Sequence, residues 1–329
     1  MEILWIGGII AFLAAALCGK FLIPLLHRLK FGQEIREEGP KWHEKKSGTP
    51  TMGGFIFLLG MLIAILLTGV LSLALDKKFP GFKEIGILLG MTLAYGAIGF
   101  LDDYIKVIMK RNLGLTSSQK FGLQLLVAVA FVAWAVFSGS IQTLVKVPFS
   151  NLVWDFGWVF IPFAVLVIVA TVNSVNLTDG LDGLATCVTL VVALFFLVLS
   201  TAGGVANQAV ALFAATLLGG LFGFLIYNWH PAKVFMGDTG SLALGGAVCG
   251  MALLLEQPLA LLIVGFVYVM ESLSVILQVA SFRLTGKRIF KMSPIHHHFE
   301  MCGWSEKKID LIFTGVTAVL CALMYFCGV

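Results

Sequence analysis

Apolar stretches of helix length, separated by short polar segments, follow one another along the whole chain. The apolar residues form continuous runs and do not alternate with polar ones, which predicts α-helices and disfavours transmembrane β-strands. About ten stretches have a length that suits helices crossing a bilayer. They lie at about residues 3–26, 53–75, 85–101, 121–139, 157–173, 184–202, 207–227, 241–255, 258–282 and 309–327. We therefore predict an all-α polytopic membrane protein, a single integral-membrane domain over residues 1–329.

Composition strengthens this prediction. Of the 329 residues, 59% are hydrophobic and only 12% are charged, which excludes a soluble globular domain of this length. The six cysteines show no paired spacing and lie mostly inside apolar stretches. They are interpreted as small buried hydrophobic residues, not as a disulfide framework or a zinc site.

The basic residues predict the orientation of the helices. Glu2 precedes the first apolar stretch and the positive charges come later, so this stretch is not a cleavable signal peptide. If the helices alternate from an external N-terminus, most basic residues fall in cytoplasmic loops, as the positive-inside rule requires. The predicted cytoplasmic ones are Arg28, Lys30, Arg36, Lys41, Lys45, Lys46, Lys106, Lys110, Arg111, Lys120, Lys233, Arg283, Lys287, Arg288, Lys291, Lys307 and Lys308, and the external ones are Lys77, Lys78, Lys83 and Lys146. Both termini are therefore expected outside the cytoplasm. The net charge of +4 then lies on the cytoplasmic side, which suits anionic lipids and substrates and requires no nucleic acid.

One polar run, residues 173–183, interrupts the apolar pattern near the middle of the chain. Asn173, Asn176, Asp179 and Asp182 recur at every third position, and two glycines between them allow the backbone to bend. An ordinary turn between two membrane helices would also contain Asn, Asp and Gly. A turn needs no pair of carboxylates, however, and the run contains no Lys or Arg to neutralise them. The pattern favours a polar site that shares groups with other loops.

A second acidic pair, Asp102 and Asp103, ends the third apolar stretch, where burying a charge is costly. Adjacent residues on a helix point about 100° apart, so both carboxylates cannot address one ligand equally. One of them is expected to face a site, and the other to orient it or a nearby base. Lys106 follows Asp102 by four residues, a spacing that also suits a simple intrahelical ion pair.

The segment 46–54 combines Lys46 and Thr51 with Gly and Pro residues, which predicts a compact turn. Its backbone N–H groups, next to Lys46, would suit a phosphate. An ordinary helix start is the alternative.

A similar segment follows the seventh apolar stretch and contains Asn228, Phe235, Gly237 and Asp238. It places a carboxylate, an aromatic ring and glycine backbone before a predicted helix, where anions bind. A plain N-cap and a membrane-anchoring aromatic residue are the alternatives.

Three consecutive histidines, His296, His297 and His298, follow a basic interfacial segment. Adjacent residues do not converge on one metal ion, and no cysteine accompanies them in a zinc-site spacing, so zinc is disfavoured. Phosphate contacts or proton transfer suit them better. Glu271 and Gln278 share one helix face within the ninth stretch. Helix packing or an intersubunit hydrogen bond explains them equally well, so neither is assigned to the site.

The orientation places all of these polar segments on one side of the membrane. Clustered carboxylates without matching cations in the same loops call for a hard divalent ion, and Mg²⁺ with phosphate ligands is the usual companion. The lysines and histidines would then bind phosphate oxygens. A secondary transporter also carries polar groups within the membrane, but at its midplane.

Several motifs in order resemble one family. Leu101-Asp102-Asp103, the 173–183 run, Gly237-Asp238-Thr239-Gly240-Ser241 and Pro294-Ile295-His296-His297-His298-Phe299-Glu300 resemble the polyprenyl-phosphate N-acetylhexosamine-1-phosphate transferase superfamily. With residues 46–54, the chain looks like its bacterial phospho-N-acetylmuramoyl-pentapeptide transferase branch. The match runs over residues 1–329.

This resemblance implies a ten-helix enzyme of the bacterial inner membrane with its active site at the cytoplasmic face. Members transfer phospho-MurNAc-pentapeptide from UDP-MurNAc-pentapeptide to undecaprenyl phosphate, which gives lipid I and UMP, with Mg²⁺ as cofactor. They are typically homodimers. A sister enzyme that uses UDP-GlcNAc is the nearest alternative.

The resemblance also implies roles for individual residues. Asp102 and Asp103 match the paired acids, one of them a base or a nucleophile, and Asp238 matches a catalytic, metal-binding aspartate. Phe235 matches the residue that stacks on uracil, and Asp179 and Asp182 match metal- and nucleotide-side positions. The other matched substrate-side positions are Lys46, Thr51, Lys106, Lys120, Asn173, Asn176, Asn228, Gly237, His296, His297 and His298.

Overall fold

The computed structural model describes residues 2–29, 46, 48–75, 81–108, 114–202 and 207–328. All residues named above as site candidates are within these ranges. Eight basic residues used to predict the orientation lie outside the described residues: Lys30, Arg36, Lys41, Lys45, Lys77, Lys78, Lys110 and Arg111.

Ten helices in the described part of the chain are long and apolar enough to cross a membrane, which confirms the predicted number. The protein is thus a multi-pass membrane protein. The helices are α1 (Glu2–Arg28), α2 (Gly54–Ala74), α3 (Phe82–Ile108), α4 (Ser117–Phe137), α5 (Phe160–Thr178), α6 (Leu184–Ala202), α7 (Gln208–Asn228), α8 (Gly237–Leu254), the short α9 (Leu261–Val264), α10 (Phe266–Thr285), the short α11 (Ile295–Met301) and α12 (Glu306–Leu323).

Two bounds differ from the predicted ones in ways that matter for function. Helix α3 continues past residue 101 to Ile108, so Asp102 and Asp103 lie on a helix and not in a loop. The ninth stretch is divided, because α9 ends at Val264, α10 begins at Phe266, and Gly265 between them caps both helices. A Cβ atom at Gly265 would lie 2.6 Å from the carbonyl oxygen of Leu261, so only glycine fits this close approach.

Helix α8 lies at the centre of the bundle. Helices α3 and α5 both pack along it, while α1 packs on α2 and α7. Most of α6, α7 and α8 is buried in the protein, whereas α1, α4 and α10 are largely exposed at the surface that a membrane would cover. The first residues of α8 are therefore held between α3 and α5, which carry the two acidic motifs.

A small hairpin corrects the all-α prediction. Strands β1 (Leu144–Lys146) and β2 (Val153–Asp155) pair antiparallel between α4 and α5. The Lys146 amide donates to the Glu256 carbonyl, and the Phe149 amide to the Gly328 carbonyl. The hairpin is thereby fixed near the end of α8 and the end of the chain, at the opposite end of the bundle from Asp238.

Candidate active site

The site is organised around the sharp turn that begins α8. Gly237 has φ +73°, a left-handed conformation that favours glycine. A Cβ atom there would also lie 2.6 Å from both Asp103 Oδ2 and Thr51 Oγ1. Gly237 thus allows three chain segments to meet at one point, with Asp238 directly after it.

Asp103 holds the first turn of α8. Its Oδ2 accepts hydrogen bonds from the Thr239 amide at 2.9 Å and the Thr239 hydroxyl at 2.7 Å, and its Oδ1 accepts from the Asp238 amide at 3.2 Å. These donors belong to the free N–H groups of a helix N-terminus, which favour a negative charge. Asp103 is therefore the member of the acidic pair that positions its neighbours, as the helical geometry predicted.

Asp238 forms the centre of the polar cluster. Its Oδ2 accepts from Lys106 Nζ at 2.7 Å and from Lys120 Nζ at 2.9 Å. Its Oδ1 accepts from Asn176 Nδ2 at 2.7 Å, and the same amide nitrogen lies 2.8 Å from Ser241 Oγ. Helices α3, α4, α5 and α8 thus each contribute a polar side chain to this point.

Asp102 lies on the same side of the cluster. Its Oδ2 is 2.5 Å from Lys106 Nζ and 3.9 Å from Lys120 Nζ, and its Oδ1 accepts from the Leu115 amide at 2.8 Å. The intrahelical ion pair that the spacing suggested is therefore present. Lys106 bridges Asp102 to Asp238, so the pair is part of the cluster and not an isolated surface contact.

Asp179 adjoins this cluster immediately after the end of α5. None of the described residues donates a hydrogen bond to its carboxylate. Burial, followed by the negative charges of Asp238, Asp103 and Asp182, raises the pKa of Asp179 well above its usual range. An acid in this position favours an added cation or a proton.

A second polar group lies beside the first and is centred on Lys46. Lys46 Nζ is 2.8 Å from Asp182 Oδ1 and 2.6 Å from Glu306 Oε2. His230 Nδ1 is 3.2 Å from Asp182 Oδ2 and 3.4 Å from Glu306 Oε2. Burial alone would lower the pKa of Lys46, but the hydrogen bonds and charges of Asp182 and Glu306 raise it above its ordinary value.

Sequence reasoning missed His230 and Glu306. Glu306 begins α12 directly after the N-capping Ser305, where an acidic residue is common in any helix. His230 precedes a proline in the segment that joins α7 to α8. Neither position shows a local pattern that distinguishes it from an ordinary helix end.

Asn228 and Phe235 mark the two ends of the segment before α8. The Asn228 side chain is buried; its Oδ1 accepts from Thr186 at 2.8 Å and its Nδ2 donates to the Val234 carbonyl at 3.1 Å. The backbone of Phe235 bonds to Pro50 and Gly53, while its ring is half-buried. Asn228 therefore shapes this segment from within, while Phe235 remains partly exposed.

Asn173 lies one helical turn before Asn176 and also serves the packing of α5. Its Nδ2 donates to Gln124 Oε1 at 2.6 Å and to the Val169 carbonyl at 2.8 Å. The residue also lines a cavity of about 490 Å³ with Ser117, Ser118, Lys120 and Phe121. Phe121 begins a second, apolar groove of about 420 Å³ between α4 and α5. The two pockets therefore adjoin at Phe121.

The three histidines have three different environments. His297 Nδ1 lies 2.6 Å from Glu300 Oε2, one turn along α11. His298 Nδ1 accepts from the Lys291 amide at 3.1 Å. His296 is fully buried, with Nδ1 at 3.0 Å from Glu271 Oε2. The three imidazoles therefore have separate hydrogen-bond partners, and the expectation that they do not share a metal ion stays a prediction.

The first cluster has the donor chemistry that Mg²⁺ requires. Asp238 and Asp179 offer carboxylate oxygens, and Asp102 lies beside them, so the set consists of hard oxygen ligands. Asp182 belongs to the other group. The ligand atoms of Asp182, His230 and Glu306 lie within 4.8 Å of one another, and Lys46 balances one of the two carboxylate charges there. The carboxylate of Asp179 accepts no hydrogen bond from the described residues, so the first cluster keeps a free ligand group for a cation.

Comparison with known proteins identifies relatives over nearly the full length. The family model for glycosyl transferase family 4 matches residues 85–256. The model for signature 1 of the phospho-N-acetylmuramoyl-pentapeptide-transferases matches residues 46–58, the turn that contains Lys46 and Thr51.

Three curated relatives carry that same transferase name. The protein from Clostridium novyi is 49% identical, and the match covers 98% of this chain and 96% of the relative. The protein from Clostridium beijerinckii is 51% identical, and the match covers 96% of this chain and 93% of the relative. The protein from Bacillus cytotoxicus is 48% identical, and the match covers 97% of this chain and 96% of the relative.

Proposed function

The chain belongs to the phospho-N-acetylmuramoyl-pentapeptide-transferase family, and on that premise we propose that it transfers phospho-MurNAc-pentapeptide from UDP-MurNAc-pentapeptide to undecaprenyl phosphate. The products are lipid I and UMP. The observation that carries the proposal is the joining of Asp102, Lys106, Lys120 and Asp238 at the start of α8, within a chain about as long as its relatives. Paired acids and lysines in a buried cluster suit phosphoryl transfer between two anionic substrates.

The two substrates approach the cluster from different sides. The nucleotide end is proposed to lie near the partly exposed Phe235, whose ring would stack on uracil. The lipid phosphate is proposed to lie by Lys120, with its polyprenyl chain in the apolar groove between α4 and α5. This places the acceptor phosphate next to Asp102 and Asp238.

The proposed mechanism is direct attack by the lipid phosphate. Asp102 takes the remaining proton of that phosphate, and a lipid phosphate oxygen forms a bond to the β-phosphorus of the UDP-sugar. The bond from the β-phosphorus to the bridging oxygen breaks, and UMP leaves. Lys106 and Lys120 stabilise the charge that develops on the phosphoryl oxygens. General-base help of this kind contributes about 10²–10⁴-fold.

Asp238 and Asp179 are the residues proposed to hold Mg²⁺. When bound, the ion supplies charge neutralisation at the diphosphate and polarises the phosphorus. Asp103 contributes by fixing the first turn of α8, so that the Asp238 carboxylate is presented to the site.

Location and assembly extend the proposal. We place the protein in the bacterial cell membrane with both termini outside and the Asp238 cluster facing the cytoplasm, where UDP-sugars are made. The basic residues of the predicted inner loops support this orientation. A homodimer is proposed from the family alone.

UMP release by the purified protein tests the function. UMP should appear with UDP-MurNAc-pentapeptide only when both undecaprenyl phosphate and Mg²⁺ are present, and D238N is the matched inactive control. Preference for UDP-GlcNAc in the same assay would make the chain a sister enzyme. Substrate flux into proteoliposomes without UMP release or Mg²⁺ would instead indicate a transporter.

Isotope exchange tests the mechanism separately. Direct attack predicts that labelled UMP does not exchange into the UDP-sugar in lipid-free protein. Robust exchange, together with a labelled aspartyl adduct, would establish a phosphoryl-enzyme and refute direct attack.

A further inference from the structure

A buried acid–imidazole pair lies outside the proposed mechanism. Glu271, on α10, and His296, at the start of α11, are both fully buried, with 3.0 Å between Oε2 and Nδ1. A hydrogen bond joins Nδ1 of the imidazole to Oε2 of the carboxyl group, so Nε2 is the ring nitrogen on the other side. The contact therefore fixes both the orientation of the ring and which nitrogen faces the other way.

The pair retains two unsatisfied atoms. Glu271 Oε1 and His296 Nε2 are buried, and neither has a hydrogen-bond partner among the described residues. A buried polar atom without a partner is costly, and well-packed apolar residues of similar volume would hold two helices together as firmly. Packing alone therefore does not account for this pair.

The free side of the His296 ring lies against the turn that follows α5. A Cβ atom built on Gly180 would be 2.2 Å from His296 Nε2 and 2.5 Å from Cε1. Gly180 directly follows Asp179, whose carboxylate is close enough to Asp238 and Asp103 to be affected by their negative charges. The ring thus supports the backbone of the turn that carries a carboxylate of the active site.

We propose that Glu271 is a positioning residue that acts through His296 on the Asp179–Gly180 turn. Glu271 fixes the imidazole, the imidazole fixes the turn, and the turn sets the place of the Asp179 carboxylate. This inference rests on the proposed function. It assigns a role to a residue inside a membrane helix that touches neither substrate.

Two substitutions at one position separate orientation from packing. E271M keeps the approximate volume of the side chain and removes the acceptor, so kcat is expected to fall by about 10- to 100-fold, the usual cost of losing a partner that orients an active-site group. E271Q keeps a hydrogen-bonding group for Nδ1, because an amide offers both an acceptor and a donor, and should retain most of the turnover. KM for both substrates should change little in either variant. S274A is the control, because Ser274 is buried on the same helix and donates only to the Glu271 carbonyl.

A substitution on the other side of the ring tests the same path. G180A should displace the imidazole and lower kcat, since its Cβ needs the space that His296 occupies. The double variant E271M/G180A should be about as slow as the slower single variant, because both changes act on one ring.

Three outcomes would overturn the inference in folded, membrane-inserted protein. They are wild-type kcat in E271M, a loss in E271Q as large as in E271M, and a double variant whose loss is the product of the two single losses. Each is measured relative to wild-type UMP release. If wild-type protein itself releases no UMP, the proposed function fails instead, so the two failures are distinguishable.

Discussion

At the scale of single residues, neighbouring acids have different tasks because their surroundings differ. Asp103 accepts three hydrogen bonds from the first turn of α8, whereas Asp102 pairs with Lys106 and accepts from the Leu115 amide. Asp179 has no donor among the described residues and lies near three other carboxylates. A buried acid without a partner lowers the stability of the folded protein, and such acids are typical of binding sites.

The first prediction concerns Asp179→Asn. Turnover should fall by about 100-fold or more, on the scale of losing one preorganised electrostatic contact to a reacting phosphate. The fold should remain intact, as judged by detergent-solubilised yield and gel-filtration profile. Near-normal UMP release would remove Asp179 from the site.

The same variant should be more stable than wild type in buffer with EDTA. The pKa of Asp179 is raised in the folded state, so wild-type stability falls as pH rises from the ordinary Asp value of about 3.9 towards the folded-state value. Asparagine does not titrate. The melting temperature of D179N should therefore exceed that of wild type at about pH 8, and the difference should shrink towards about pH 5. A constant difference across this range would contradict the assignment.

At the scale of elements, hydrogen bonds at the start of α8 connect segments that are far apart in the chain. Gly53 and Gly54 donate backbone hydrogen bonds to the carbonyls of Phe235 and Met236, and Asp103 accepts from the amides of Asp238 and Thr239. The start of α2, the end of α3 and the start of α8 are thus fixed together. These hydrogen bonds determine the position of Asp238.

The element-scale prediction is that Asp103 acts mainly through α8. D103A should lower the free energy of unfolding by about 1 kcal/mol, as loss of an N-capping side chain does. It should also lower kcat, because Asp238 is no longer fixed. T239S keeps the hydroxyl donor to Asp103 and serves as the matched control. Wild-type stability in D103A would show that the cap contributes nothing.

A second element-scale prediction concerns Gly237. G237A combines an unfavourable left-handed backbone with a Cβ clash against Asp103 and Thr51, so both activity and melting temperature should fall. G122A is a suitable control, since a Cβ atom at Gly122 meets nothing within 4 Å. Equal effects of the two substitutions would argue against a special conformation at Gly237.

At the scale of the whole molecule, the functional groups gather at one end of the bundle and the hairpin lies at the other. The Asp238 cluster, Lys46 and the three histidines all lie near the start of α8, while Glu256 and the hairpin lie near its end. The two ends should therefore face opposite sides of the membrane.

Cysteine labelling in intact cells tests this arrangement. Cys302, an exposed residue of the segment between α11 and α12, should react with an impermeant maleimide only after permeabilisation. A cysteine introduced at Ser150, in the hairpin loop, should react without it. Because Cys327 is also exposed and adjoins Gly328 at the hairpin end, C327S is the background for the Cys302 measurement and C302S/C327S for the Ser150 variant. The reverse pattern would invert the proposed topology.

The sequence by itself determined the helices and the chemical class of the site. Continuous apolar runs predict membrane helices because a bilayer leaves backbone groups no other partners. The motifs around Asp102, Asp179 and Asp238 were recognisable because acids within such a chain are costly. Helix ends were less certain, and the β1–β2 hairpin was missed, because three-residue strands have no distinctive pattern.

Only the tertiary structure decided which side chains meet. Lys106 and Asp238 are 132 positions apart, and Lys46 and Glu306 are 260 apart, so no local pattern connects them. Glu271 was equally compatible with helix packing until α11 placed His296 against it. The local residue pattern determines each helix. The packing of α3 and α5 on α8, and of α10 on α11, determines which side chains pair, because contacts between distant segments depend on every element at once.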